Sequence, residues 1–454
     1  MRLSALVPIA VVALAVTSCV TRGVSVAERA PVAAAGTPPL AAAPVTGTWK
    51  GSILAGEQTI GIVVRFFSSD AGLAGTIDIP TQSAHGLHLR AVREQGDEVW
   101  FELLEGSDVA YFHGRMSGRE ITGDFRQGPA AGSFTMTRAA EATPAPAGGR
   151  ASPLAPGESE IRLSTPTGTL VGTLELPAGE GPFPVALLIA GSGPTDRNGN
   201  SPILPGANDS LKMVAAALAK AGIASVRYDK RGIGESAAAM RAEEDMQFSD
   251  YIDDAVRWID FLKKDPRFTR VAVIGHSEGS LIGMVAARRA GADAFVSLEG
   301  AGQPADELLK SQLAGDPENV RAQAYAIIDS LKAGRTVSSI PEDMTALFRP
   351  SVQPYLISWF RYNPQREIAR LNMPILIVGG TTDLQVPAKD AELLHAAQPR
   401  STLRIIDGMN HVLKLAPADP RKNVAAYSNP KLPLAPALVS ALTDFLTAVL
   451  QAPS

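Results

Sequence analysis

Three residues, far apart in the chain, have the types and the order that nucleophilic acyl transfer needs. Ser277 lies in Gly275-His-Ser-Glu-Gly279, a G-x-S-x-G pattern between the β-branched apolar run Val271–Ile274 and the small, apolar stretch Ser280–Ala287. That context predicts a strand, a sharp turn and a helix, which exposes the hydroxyl at a sheet edge. The helix N-terminus beside it presents free N–H groups that favour negative charge. A serine hydroxyl attacks well only if a base takes its proton and an acid orients that base. His411, in the loop Gly408–His411 just after the strand-like Thr402–Ile406, is the candidate base; His395, the other histidine beyond Ser277, falls in the helical segment Ala388–Ala397. Asp383 follows the strand-like Ile375–Gly379 and precedes His411, the order required after such a serine. Asp407 competes for the acid's role, but it ends the strand that delivers the histidine and would have to fold back.

Acyl transfer also needs N–H donors aimed at the developing oxyanion, each worth about 3 kcal/mol to the transition state. The N–H of Glu278, next after the nucleophile, is one; its side chain is expected to point away. The other is expected from Gly191–Arg197, the loop after the apolar strand Val185–Ala190, at Ser192 or its neighbour Gly193.

The scaffold that must position these groups is legible in outline. The chain has 454 residues, 45% hydrophobic and 19% charged, with a net charge of −4 and no basic stripe, so nucleic acid is not an expected partner. Arg2, the short apolar run Leu3–Val16 and Val16-Thr-Ser-Cys19 read as a signal peptide over 1–19 with a lipobox-like end. Cys19, the one cysteine, would then carry a lipid and hold the protein in the cell envelope, at the outer membrane if the cell is Gram-negative. Residues 20–44 read as a flexible tether. Residues 45–138 alternate in short runs split by glycine turns, about eight strands of a small antiparallel barrel or sandwich. His85, His88 and His113 fall there without metal-ligand spacing. Residues 139–157 form a second Pro/Ala/Gly linker. Residues 158–454 alternate strand and helix patterns, predicting a mostly parallel sheet covered on both faces.

Two further motifs carry less. Asp196–Asn200 lacks the spacing and closing glutamate of a calcium loop and reads as lining the site entrance. Gly232-x-Gly234 lacks the third glycine of a dinucleotide fingerprint. No cofactor and no metal is expected.

Taken in order, Ala190-Gly-Ser-Gly-Pro-Thr-Asp-Arg197, Tyr228-Asp-Lys-Arg-Gly-Ile-Gly-Glu-Ser236, Gly275–Gly279, Gly379-Gly-Thr-Thr-Asp383 and Asn410-His-Val-Leu-Lys414 resemble the α/β-hydrolase superfamily. They are most similar to bacterial secreted esterases grouped with serine aminopeptidase (S33)-like hydrolases that carry an N-terminal β-domain. The resemblance covers about 158–454. It implies an α/β fold with an eight-stranded sheet and a helical lid at about 303–371, after the sixth strand. One departure is Ala190-Gly191, where His-Gly is usual in lipases. The expected activity is cleavage of a small acyl ester through Ser277, His411 and Asp383. A peptidase acting on short peptides is the alternative, with Glu278, Asp306 or Glu307 available to meet an α-amino group. A non-catalytic envelope lipoprotein is the third reading. Phe348, Tyr355, Trp359 and Phe360 would line an acyl pocket or simply pack the lid. The sequence sets no oligomeric state.

Overall fold

The computed structural model describes residues 45–138, apart from 56–57, 70–71, 80–83, 106–107 and 129, and residues 154–451, apart from 203–205 and 342–343. The leader, Cys19, the tether and most of the second linker lie outside the described residues. The chain divides into two compact units, described here separately.

The first unit is a closed barrel of eight antiparallel strands joined in sequence order. They are β1 (Gly47–Ala55), β2 (Gln58–Ser69), β3 (Gly72–Ile79), β4 (Ala84–Gln95), β5 (Glu98–Glu105), β6 (Asp108–Ser117), β7 (Glu120–Gln127) and β8 (Ala130–Arg138). Pairing of β1 with β8, from Trp49 opposite Arg138 to Ala55 opposite Gly132, closes the ring and leaves no free edge. Alternate side chains point inward. Trp49, Ile53, Val64, Phe66, Phe101, Phe112 and Phe134 are among those that fill the interior. His113 faces outward, stacks on Trp100 at 4.9 Å and lies 3.5 Å from Glu98. Among the described residues no group of three or more potential ligands could hold a metal ion; the side chains of His85 and His88 lie outside them.

The second unit is built on an eight-stranded sheet. Its strands are β9 (Glu158–Thr165), β10 (Gly168–Glu175), β11 (Phe183–Ile189), β12 (Ala224–Tyr228), β13 (Phe268–His276), β14 (Ala294–Leu298), β15 (Ile375–Gly380) and β16 (Thr402–Ile406). Their order is β16-β15-β14-β13-β11-β12-β10-β9, and only β10 runs against the rest. The central strands are buried on both faces, which explains their unbroken apolar runs.

The helices are α1 (Ser210–Lys220), α2 (Phe248–Lys264), α3 (Glu278–Ala290), α4 (Ala305–Gln312), α5 (Glu318–Lys332), α6 (Thr345–Phe348), α7 (Gln353–Trp359), α8 (Pro364–Ile368), α9 (Ala388–Ala397), α10 (Pro420–Asn423) and α11 (Pro436–Leu450). Ile252, Ala255, Ile259 and Leu262 of α2, at helical spacing, pack with α3 on one face of the sheet. Leu211, Val214 and Leu218 of α1 pack with Leu438, Leu442 and Leu446 of α11 on the other. Helices α4 to α8 form an insertion between β14 and β15, the sixth and seventh strands of this sheet. The strand order reverses at β11, which pairs with β12 on one side and β13 on the other. Chain leaving β11 and β13 therefore diverges and opens a crevice at their C-terminal ends.

Candidate active site

Ser277, Asp383 and His411 each follow the C-terminal end of a strand of this sheet, β13, β15 and β16. Ser277 follows β13 directly and starts α3 with φ 54° and ψ −122°, a region open in effect only to glycine. The neighbouring packing holds it there. A Cβ on Gly275 would run into the backbone of Gly279, and one on Gly279 into the carbonyls of Ile189 and Ala190. Both glycines of the motif thus let α3 and β11 close on the turn. The Ser277 N–H is held by the Leu298 carbonyl at 2.9 Å. Its hydroxyl makes no hydrogen bond among the described residues.

His411 and Asp383 are joined: Nδ1 of His411 and Oδ2 of Asp383 lie 2.7 Å apart, and both side chains are buried. The other oxygen of Asp383 accepts from the N–H groups of Gln385 and Val386 at 2.7 and 3.0 Å. Burial acts to raise the Asp383 carboxyl, but His411 and these N–H groups outweigh it and hold its pKa below the usual carboxylate value. Asp407 instead accepts from Thr381 at the protein surface, and His395 of α9 pairs with Ser401, beyond the end of that helix.

His276, the residue before the serine, couples the two halves of the site. Its Nε2–H donates to the main-chain carbonyl of His411 at 2.8 Å, and the two rings lie 4.9 Å apart. The loop bearing His411 is thereby tied to the turn bearing Ser277. Donation from Nε2 leaves Nδ1 unprotonated, and Nδ1 has no partner among the described residues. Burial, then the charge His411 would carry, press the His276 pKa from 6.5 to about 3. Folded His276 therefore stays neutral while the unfolded residue takes up a proton below its ordinary pKa. Its contribution to stability is complete above about pH 6.5 and is lost as pH falls toward 3. Between pH 7 and 5 the wild type should lose about 2 kcal/mol more than His276→Asn, which keeps a donor for His411 but does not titrate. Urea unfolding at both pH values measures this; equal losses would refute it.

A second carboxyl was not anticipated. Glu299 follows β14, with φ 48°, and is buried. It accepts from the Gly380 N–H at 3.1 Å. Burial first, then the negative charge of Asp383, push its pKa well above the usual carboxylate range, so it stays protonated beside Asp383. In the sequence Glu299 is simply the polar end of a strand. The available clue was its place at the same sheet edge as Ser277 and Asp383.

Ser192, Ser277 and Glu278 line one cleft with Leu281, Leu308 and Trp359. The cleft holds about 670 Å³, open solvent at its mouth included. Ser192 rather than Gly193 faces it. The Glu278 carboxylate is buried and gripped by Lys230 at 2.9 Å and the Tyr355 hydroxyl at 2.5 Å. Asp196–Asn200 departs from expectation. It is not part of the cleft lining. Asp196 closes its own turn by accepting from Asn198 and Asn200, and Arg197 is buried against Asp229 and Glu235. Of the four insertion aromatics, Trp359 lines the cleft while Phe348, Tyr355 and Phe360 pack in the core.

The chain is similar to several known proteins. Residues 204–316 match the family described as serine aminopeptidase, S33. Esterase EstD of Thermotoga maritima is 31% identical over 254 residues, which cover 54% of this chain and 58% of that protein. The chain thus spans under two thirds of that relative's length. Among solved structures, ferulic acid-bound Est1E of Butyrivibrio proteoclasticus is 17% identical, covers 64% of this chain and all of its own, and has a TM-score of 0.43. The esterase domain of a Rhodothermus marinus protein is 17% identical over 64% of this chain and 99% of its own, at a TM-score of 0.40. In the order of its motifs and in the sequence match, the chain is similar to hydrolases of the serine aminopeptidase S33 kind.

Proposed function

We propose that the chain is a serine carboxylesterase for small, uncharged acyl esters. The observation that carries this is the 2.7 Å pair of His411 and Asp383, moored through His276 to the turn that presents Ser277. In this reading Ser277 Oγ attacks the ester carbonyl and His411 Nε2 takes its proton. Asp383 fixes the proton on Nδ1 and stabilises the imidazolium. The N–H groups of Ser192 and Glu278 receive the oxyanion. The alcohol leaves with the proton from His411, and water, activated by the same base, releases the acid. EstD, which is named an esterase, supports the same reading.

An aminopeptidase would need a free carboxylate to meet the substrate's α-amino group. Glu278 is the one acidic residue of the cleft lining among the described residues, and both of its oxygens are taken by Lys230 and Tyr355. Asp306 is paired with Lys332 at 2.8 Å, and Glu307 points to solvent. Apart from Ser192 and Ser277, the remaining lining is apolar or glutamine (Gln303, Gln312 and Gln385), which suits a neutral acyl group. Parallel assays with p-nitrophenyl acetate and butyrate and with aminoacyl p-nitroanilides decide between the two. Esters should exceed amides by about 10³-fold or more in kcat/KM, a preference of some 4 kcal/mol in transition-state binding. Faster cleavage of the aminoacyl amides would reverse the assignment.

A further inference from the structure

The Tyr228–Ser236 motif has an unexplained buried cation. Lys230, in the loop after β12, is about 1% exposed and is not among the cleft-lining residues, so it does not face the substrate. Its ammonium donates to the Gly191 carbonyl at 2.6 Å and to Glu278 Oε2 at 2.9 Å, and it lies 4.9 Å from the Tyr251 ring centre. Those two partners are not arbitrary. The Gly191 carbonyl and the Ser192 N–H belong to one planar peptide unit, so holding the oxygen aims the N–H in the opposite direction. A cation on that oxygen also polarises the amide and makes its N–H a stronger donor. Glu278 is the residue whose own N–H opens α3 beside Ser277, and its other oxygen is held by Tyr355 of α7.

We propose that Lys230 is the positioning residue of the oxyanion hole: one buried ammonium that sets the Ser192 donor through the Gly191 carbonyl and the Glu278 donor through its side chain. The proposal rests on reading those two N–H groups as the oxyanion donors. It also gives the helical insertion a part in the site, because Tyr355 completes the grip on Glu278.

Removing the cation alone would strand a buried carboxylate and threaten the fold. The decisive variant is therefore Lys230→Met combined with Glu278→Gln, which removes both charges together. Its melting temperature, its KM and kcat on p-nitrophenyl butyrate, and its affinity for an alkyl trifluoromethyl ketone are compared with the wild type. The ketone forms a tetrahedral oxyanion on Ser277. A misaimed donor weakens the transition state and not the ground state. We expect KM within about 3-fold of the wild type, kcat lower by about 10- to 100-fold, and ketone affinity lower by a similar factor. Glu278→Gln alone, which leaves Lys230 on Gly191, should lose about 3- to 10-fold in kcat and serves if the double variant does not fold. Wild-type kcat and ketone affinity in either folded variant would overturn the role of Lys230, as would a loss confined to KM. If the wild type neither turns over esters nor binds the ketone, the esterase reading fails and takes this proposal with it.

Discussion

Ser277→Ala should lower kcat for ester hydrolysis by about 10⁵- to 10⁶-fold with KM little changed, because without the hydroxyl there is no atom to carry the acyl group. The residual rate would come from the oxyanion donors and binding alone. The fold should survive, and a companion variant shows why. Ser277 sits at φ 54° and ψ −122°, where any side chain is strained. Alanine keeps that strain; glycine releases it. Ser277→Gly should therefore be as inactive as Ser277→Ala yet more stable than it by about 1 kcal/mol in urea unfolding. Equal or lower stability of the glycine variant would mean the turn is not strained. Activity retained in either variant would remove Ser277 from the chemistry.

Asp383→Asn should cost about 10⁴-fold in kcat, with little change in KM. The cause lies in the local hydrogen bonds. The Gln385 and Val386 N–H groups both donate to Asp383 Oδ1 and would hold the amide oxygen of an asparagine in that place. The amide NH₂ would then face His411 Nδ1, which lies 2.7 Å from the present carboxylate oxygen. His411 would have to accept at Nδ1 and carry its proton on Nε2, the tautomer that cannot take a proton from serine. A loss under about 10-fold would show that His411 does not depend on Asp383, and would turn attention to another acid.

Much of this site was legible in the sequence because each group sits where a short apolar run ends. Thr402–Ile406 reads as a strand with the bounds that the structure has, and Ile375–Gly379 falls one residue short of its strand. Glycine or polar residues follow each strand that delivers a chemical group. That is why Ser277, Asp383 and His411 could be ordered before their contacts were known. What could not be read is what depends on distant pairing. Closure of the barrel is the meeting of β1 with β8, whose partners stand some eighty residues apart in sequence; Trp49 and Arg138 are such a pair. Period-2 alternation fits a sandwich equally well. Helix α2 begins at Phe248, where Asp250 accepts from the Gln247 N–H at 2.8 Å and closes a capping box.

The supporting residues were hidden for the same reason. His276 is the first of the two variable positions of G-x-S-x-G, and nothing local says that it will reach the His411 carbonyl across 135 positions. Glu299 looks like a strand terminus until β15 brings Gly380 and Asp383 beside it. Lys230 sits in a turn rich in charges, where a solvated lysine is the ordinary expectation. Arg231 and Arg197 in the same region are likewise buried, against Asp254 and Asp229. This cluster anchors the loops after β11 and β12, and its ion pairs are invisible until the loops are packed.

The most direct test is covalent. Wild-type protein treated with a fluorophosphonate should take up one adduct per chain, and mass spectrometry of the digested protein should find it on Ser277. The adduct should be absent from Ser277→Ala and should form far more slowly in His411→Ala. An adduct on another residue, or wild-type protein that stays unlabelled, would contradict the assignment of Ser277 as an activated nucleophile.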